Sequence, residues 1–184
     1  LYINDLPNYL QEDCNPIIYA DDTTIIFHHK NAYVLEKLMN ETLNNLYKYF
    51  NRNRLKLNIS KTKYMIFETN NKNTHDFTFN IKLNNINIEK VNKFTLLGYP
   101  INNDLKYSDA VNYLNKKLTI CNKILYKCRP FLNKTLLSLL FNSIGRSYIN
   151  YFSLHFNSFS KTNINKIQIR YNQGGSIVFN CYIN

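Results

Sequence analysis

No hydrophobic run in this 184-residue chain is long enough to cross a bilayer. Lys and Asn interrupt every apolar stretch, which excludes a spanning segment, and no signal peptide is visible. Cysteine is scarce, with Cys14, Cys121, Cys128 and Cys181, and no Cys-x-x-Cys occurs. None lies near a His at zinc-ligand spacing, so a structural zinc site is excluded. Cys121 and Cys128 stand seven apart on one helix face and read as core residues. The thiols read as reduced and the chain as intracellular. Tryptophan is absent, whereas 32 residues are Asn. That skew reads as a base-composition bias in the coding DNA. The chain starts on Leu and has only Met39 and Met65, so it reads as a piece of something longer. No internal repeat or low-complexity linker breaks it.

Acidic residues are the most unevenly distributed. Residues 1–100 carry 12 basic and 10 acidic side chains, whereas residues 101–184 carry 11 basic and only two acidic, Asp104 and Asp109. The second part is therefore about +9 with little internal compensation. Such a surface suits nucleic acid; the alternative is a basic, soluble helical domain. A hydrophobic content of 45% and 15% aromatics argue against disorder and for a real core.

The coarse pattern is mixed α/β to about residue 100, then helical. Residues 1–7 read as the tail of an apolar helix ended near Pro7. Residues 16–28 read as a hairpin, with His28 and His29 at the surface. Residues 31–54 read as one amphipathic helix capped by Asn31, with Leu35, Leu38, Met39, Thr42, Leu43, Leu46 and Phe50 inward. Short strands are expected at 55–59 and 63–67, and a loop at 70–73. Segments 77–83 and 86–89 form a hairpin across Asn84-Asn85. Residues 94–100 read as one strand. Helices are expected from Ser108 to Cys128, ended by Pro130, and from Lys134 to Tyr148. Gly174-Gly175 is expected to break any helix in the last segment.

One place carries chemistry. Tyr19-Ala20-Asp21-Asp22 puts two neighbouring carboxylates at the break between the two hairpin strands. Adjacent carboxylates repel, and a divalent cation between them removes that cost. Hard oxygen ligands suit Mg²⁺, and sites of this kind drive in-line nucleotidyl transfer. An Asp-Asp pair at a turn is equally the pattern of a solvated turn, and the four residues alone leave both readings open.

Four pieces in order narrow the choice. They are Leu1-Tyr2-Ile3-Asn4-Asp5-Leu6-Pro7, Tyr19-Ala20-Asp21-Asp22-Thr23, Leu55-Lys56-Leu57-Asn58-Ile59-Ser60-Lys61-Thr62 and Lys93-Phe94-Thr95-Leu96-Leu97-Gly98. The set resembles the reverse transcriptases of non-long-terminal-repeat retrotransposons of the jockey-like kind. Asp104-Leu105 with Tyr107, the Lys116-Lys117 helix and Ser147-Tyr148-Ile149-Asn150-Tyr151 are similar to that family's downstream region.

The resemblance implies an α+β fold: a partial right-hand polymerase palm over 1–100, with an antiparallel sheet, catalytic hairpin and packed helix. A basic helical thumb-like region would follow over 101–184. It implies RNA-templated DNA synthesis with Mg²⁺ or Mn²⁺, an RNA template, a DNA primer and deoxynucleoside triphosphates, and no membrane. Asp21 and Asp22 match the catalytic acidic pair and would hold metal, Asp21 being the better ligand. Tyr19 would lie near the primer end and the incoming nucleotide. Lys61 would approach the pyrophosphate, or else is a solvated turn lysine. Phe94, Leu97 and Gly98 match a primer-gripping strand, and Lys116, Lys117, Lys123 and Lys127 would contact phosphates.

Departures are also expected. A third carboxylate from an earlier strand and the fingers are not seen before Leu1, and no endonuclease domain is present. Phe156 stands near the place of a family Trp, and the segment after Arg170 drifts from the pattern. The expectation is that the chain alone is catalytically incompetent, as a decayed mobile-element copy, one exon of a longer gene, or a non-catalytic nucleic-acid-binding module.

Overall fold

A computed structural model describes residues 3, 5–10, 14–67 and 77–179. The loop expected at 70–73, Cys181, and Leu1, Tyr2 and Asn4 of the first motif lie outside the described residues. The chain divides into two compact units, residues 1–91 and 92–184.

In the first unit a single 3-10 turn, Leu6–Tyr9, comes first. Pro7 sits in its first turn, where a missing N–H costs nothing, so it begins a helical turn rather than ending one. Strands β1 (Cys14–Tyr19) and β2 (Asp22–Phe27) then pair antiparallel. Helix α1 spans Ala32–Arg52, and Asn31 caps it, its side chain accepting from the Tyr33 and Val34 amides as the sequence implies. The helix buries Met39, Thr42, Leu46 and Tyr49. Leu46 and Tyr49 close over Leu6, with Ile18 and Ile25 of the hairpin packed alongside.

The far end of α1 holds the next segment by polar contacts. The Asn40 amide donates to the Asn80 carbonyl (3.0 Å), and the Lys82 amide donates to the Asn40 oxygen (2.8 Å). The Asn80 amide donates to Glu36 (2.9 Å). Strand edges leave backbone groups unpaired, and here helix side chains satisfy them. Strands β3 (Lys63–Tyr64), β4 (Lys82–Leu83), β5 (Ile86–Asn87) and β6 (Glu89–Lys90) are short. The β4–β5 hairpin turns at Asn84-Asn85 with both φ values positive, 49° and 63°, the conformation a two-residue turn demands and Asn tolerates. No strand forms at 55–59, and β3 pairs parallel with β6. Among the described residues the strands therefore make four separate pairs, three antiparallel and one parallel, in place of one antiparallel sheet.

The second unit opens with β7 (Lys93–Leu96) and β8 (Tyr99–Asn102), a hairpin where one strand is expected. Tyr99 packs against the helical core, so this hairpin clusters with the helices. Helix α2 (Ser108–Cys128) matches its expected bounds. Its stripe of Val111, Leu114, Leu118, Cys121 and Leu125 is fully buried and runs through both apolar clusters of the unit. Helix α3 (Lys134–Phe141) passes through a π-helical turn at Asn142–Arg146 into α4 (Ser147–Phe152). Gly145 lies in that turn, where an added Cβ would stand 2.8 Å from the Phe141 ring.

Helix α5 (Lys161–Phe179) corrects the expected break: it runs straight through Gly174-Gly175. Gly174 is buried against Phe141, so the contact it permits offsets its poor helix propensity. No helix among the described residues is long and apolar enough to cross a membrane.

Candidate catalytic hairpin and basic helical face

The β1–β2 register pairs Cys14 with Phe27, Pro16 with Ile25, and Ile18 with Thr23 on one face. Ile18 and Ile25 are anchored in the core, and a slip by one residue would turn them to solvent. That anchoring fixes the other face, on which Tyr19 stands opposite Asp22. Ala20 and Asp21 are then the two residues of the turn. Tyr19 is 65% exposed, and Ala20, Asp21 and Asp22 are all exposed. The pair therefore points at solvent and is not covered by hydrophobic atoms. Neither carboxylate makes an ion pair or a side-chain hydrogen bond among the described residues.

Ala20 has φ +53°. A left-handed conformation costs an L-residue about 1–2 kcal/mol. Strain of this kind persists only where the surroundings over-determine it, and it clusters at functional sites.

Lys61 is exposed on a turn organised by Asn58. The Asn58 carbonyl accepts from the Lys61 amide (3.1 Å) and the Thr62 hydroxyl (3.0 Å), and the Asn58 side chain accepts from the Ser60 hydroxyl (2.7 Å). The structure thus brings Tyr19, Asp21 and Asp22 to one hairpin tip, with Lys61 elsewhere in the same unit.

Phe94, Leu97 and Gly98 belong to the second unit. Leu97 (φ +49°) and Gly98 (φ +83°) form the β7–β8 turn. The turn dihedral accounts for the glycine; a Cβ there would meet nothing within 4 Å. Leu97 and Phe94 are each 43% exposed. The Tyr151 hydroxyl donates to the Leu97 carbonyl at 2.6 Å and ties the turn to α4. No sequence signal links Tyr151 to this turn, 54 residues away.

The lysines of α2 divide into two sets. Lys116, Lys123 and Lys127 fall on one stripe of the helix, since steps of seven and four return to the same face. Lys117 is turned toward aromatic rings, with its Nζ 5.2 Å from the Tyr113 centroid and 5.7 Å from that of Tyr148. The Tyr113 hydroxyl beside it, with Tyr148 adding to the effect, holds its ammonium above the usual lysine range. Lys123 and Lys127 line an open groove of about 450 Å³ with Arg170 and Gln173 of α5. Those two α5 residues were hidden by the expected helix break. The buried positions Ile167, Gly174 and Val178 do keep helical spacing, and with Gly174 counted as a core residue that stripe is readable.

Residues 1–101 match the family model described as reverse transcriptase (RNA-dependent DNA polymerase), more than half of the chain. The chain belongs to the reverse transcriptase family. No curated protein and no solved structure matches it. The reverse transcriptase match takes in the β1–β2 hairpin, α1 and all of the β7–β8 hairpin but its last residue, Asn102, and stops before α2. Asp21 and Asp22 lie within the matched residues. The basic helices lie beyond the matched residues.

Proposed function

We propose that the chain carries part of the palm and the thumb of a jockey-like, non-long-terminal-repeat retrotransposon reverse transcriptase. The observation that carries the reading is the register-locked, solvent-facing Asp21-Asp22 tip in a chain of this family. In the reaction the primer 3′-hydroxyl gives its proton to solvent water and its oxygen bonds to the α-phosphorus of a deoxynucleoside triphosphate. The bond from that phosphorus to the pyrophosphate oxygen breaks, and pyrophosphate leaves.

The donor set at the tip fits a hard divalent cation: two adjacent carboxylates, exposed and taken by no other cation among the described residues. Asp21 and Asp22 would hold Mg²⁺ or Mn²⁺. Such an ion, when bound, lowers the charge barrier at the reacting phosphate. Tyr19, on the same face as Asp22, offers an exposed ring to the primer end and the incoming nucleotide. Lys61 offers an ammonium to the departing pyrophosphate. Phe94 and Leu97 present apolar surface to the primer, and Lys116, Lys123 and Lys127 offer cations to backbone phosphates. Lys117 is the weaker candidate for that role, because its ammonium already lies over two rings.

Among the described residues no group of three His, Cys, Asp or Glu side chains comes together. Two carboxylates are an incomplete ligand set for a pair of cations, so the chain by itself is proposed to bind nucleic acid without turnover. The test is primer extension on an RNA template by a protein bearing the complete polymerase domain. Asp21→Asn is expected to abolish extension while far-UV circular dichroism stays unchanged. Extension at the parental rate by that variant would overturn the assignment.

A further inference from the structure

The groove between α2 and α5 has a composition of its own. Its cations are Lys123 and Lys127 from α2 and Arg170 from α5, and no carboxylate lines it. The second unit has only two carboxylates. Asp109 is paired with Lys93 at 2.7 Å and Asp104 with Lys106 at 3.7 Å, so both are already engaged. The positive field over the groove is therefore uncompensated.

The surface between the cations is apolar, built from Ile120, Ile177 and the ring of Tyr126. Tyr126 is 67% exposed, and Ile120 is 45% exposed. The two walls are held in register by the Asn122 amide of α2, which donates to the Arg170 carbonyl of α5 at 2.9 Å.

We propose that this groove binds a single-stranded segment of RNA or DNA, with phosphates at Lys123, Lys127 and Arg170 and a base stacked on Tyr126. Cations alone suit any polyanion. The exposed ring and isoleucines decide between strands: in a duplex the base faces are hidden within the stack, whereas a single strand can lay them on an apolar floor. The proposal deepens the reading above, from which it takes the class of partner and the phosphate-facing role of Lys123 and Lys127. Its residues lie beyond the matched family region, and Tyr126, Arg170 and Gln173 are assigned no role by the catalytic reading.

The test uses the 184-residue chain and a fluorescein-labelled, unstructured oligonucleotide of about 12 nucleotides, within the usual site size of such grooves. Fluorescence anisotropy gives affinity across a salt series. Tyr126→Ala is expected to weaken single-strand binding about tenfold and leave the salt slope unchanged, since one stacked base contributes about 1–3 kcal/mol. The double variant Lys127→Gln/Arg170→Gln is expected to lower the slope of log K against log salt by about 1.4, close to 0.7 for each phosphate released. Duplex of equal length is expected to bind the Tyr126→Ala and parental chains alike.

All three positions are exposed, and matched thermal melts establish that the variants are folded. Full single-strand affinity in Tyr126→Ala, or an unchanged slope in the double variant, would overturn the proposal. Self-association that Tyr126→Ala abolishes, without oligonucleotide binding by the parental chain, would assign the groove to a second copy instead. Asp21→Asn is expected to leave this binding intact, so loss of extension and loss of groove binding are separate failures.

Discussion

The phenol of Tyr49, on α1, donates a 2.5 Å hydrogen bond to the carboxylate of Asp5 at the 3-10 turn. The ring itself is buried, and it packs with Leu6 and Leu46 beside Ile18 and Ile25 of the β1–β2 hairpin. The bond to Asp5, together with burial, pushes the Tyr49 hydroxyl up to about 12. An unfolded Tyr titrates near 10. A group whose folded value is raised contributes stability that is present below the unfolded value and is lost as pH rises through the folded one. Tyr49→Phe should therefore be less stable than the parent near neutral pH, with the gap shrinking from about pH 10 toward 12. Urea midpoints for both proteins at intervals through that range measure it. Parallel curves would show that the bond does not couple to folding.

The opposite sign applies at Asp109. The Lys93 ammonium beside it holds its carboxyl below the usual carboxylate range, and the Asn102 side chain adds to this. A depressed value means stability that is present above the ordinary Asp range, near 3.9, and is lost as pH falls through the folded value. Asp109 also stands in the first turn of α2, where a negative charge meets the positive end of the helix dipole. Lys93→Gln should raise the Asp109 midpoint toward the ordinary value, as read by a carboxyl-carbon NMR titration. It should also flatten the acid arm of the stability curve. A midpoint unmoved by the substitution would remove Lys93 as the cause.

The two long helices were readable because their signals are local and repeated. Asn31 caps α1 through its own side chain, and the apolar spacing of α2 places five consecutive stripe residues in the core. The Asn84-Asn85 turn was readable because Asn tolerates the left-handed conformation that turn requires. The β7–β8 turn was not, since its first residue is Leu97, and nothing in a Leu announces a φ of +49°. What holds it is a hydroxyl far along the chain, on Tyr151. At the candidate site adjacency drew attention to the Asp21-Asp22 pair, but it took the ordered motifs around it to favour a polymerase reading over a solvated turn. That Lys117 faces Tyr148 while Lys127 faces Arg170's groove depends on helix packing that residue spacing does not encode.

Thr42 offers a test of core polarity. It lies on the buried face of α1 with no exposed surface, and its hydroxyl finds no partner among the described residues. A buried hydroxyl without a hydrogen bond costs about 1–3 kcal/mol. Thr42→Val keeps the shape and β-branching and removes the oxygen. It should stabilise the protein by about 1 kcal/mol, seen as a higher urea midpoint at unchanged m-value. A loss of stability would mean that the hydroxyl is satisfied in solution.

Adjacent glycines in α5 separate two effects usually confounded. At Gly174 an added Cβ would overlap Cε2 of Phe141 and stand 2.8 Å from the Asn122 oxygen. Phe141 is buried between helices, so its ring has little room to retreat. Overpacking of this kind costs about 1–3 kcal/mol, which exceeds the helix-propensity gain of up to about 1 kcal/mol for Ala over Gly. Gly174→Ala should therefore lower stability. At Gly175 a Cβ would meet nothing within 4 Å, so only the propensity term acts. Gly175→Ala should raise stability by up to about 1 kcal/mol. The pair differs by one residue along the same helix, so opposite shifts in thermal midpoint isolate the Phe141 contact. Equal stabilisation at both sites would mean that α5 does not pack against Phe141 at Gly174.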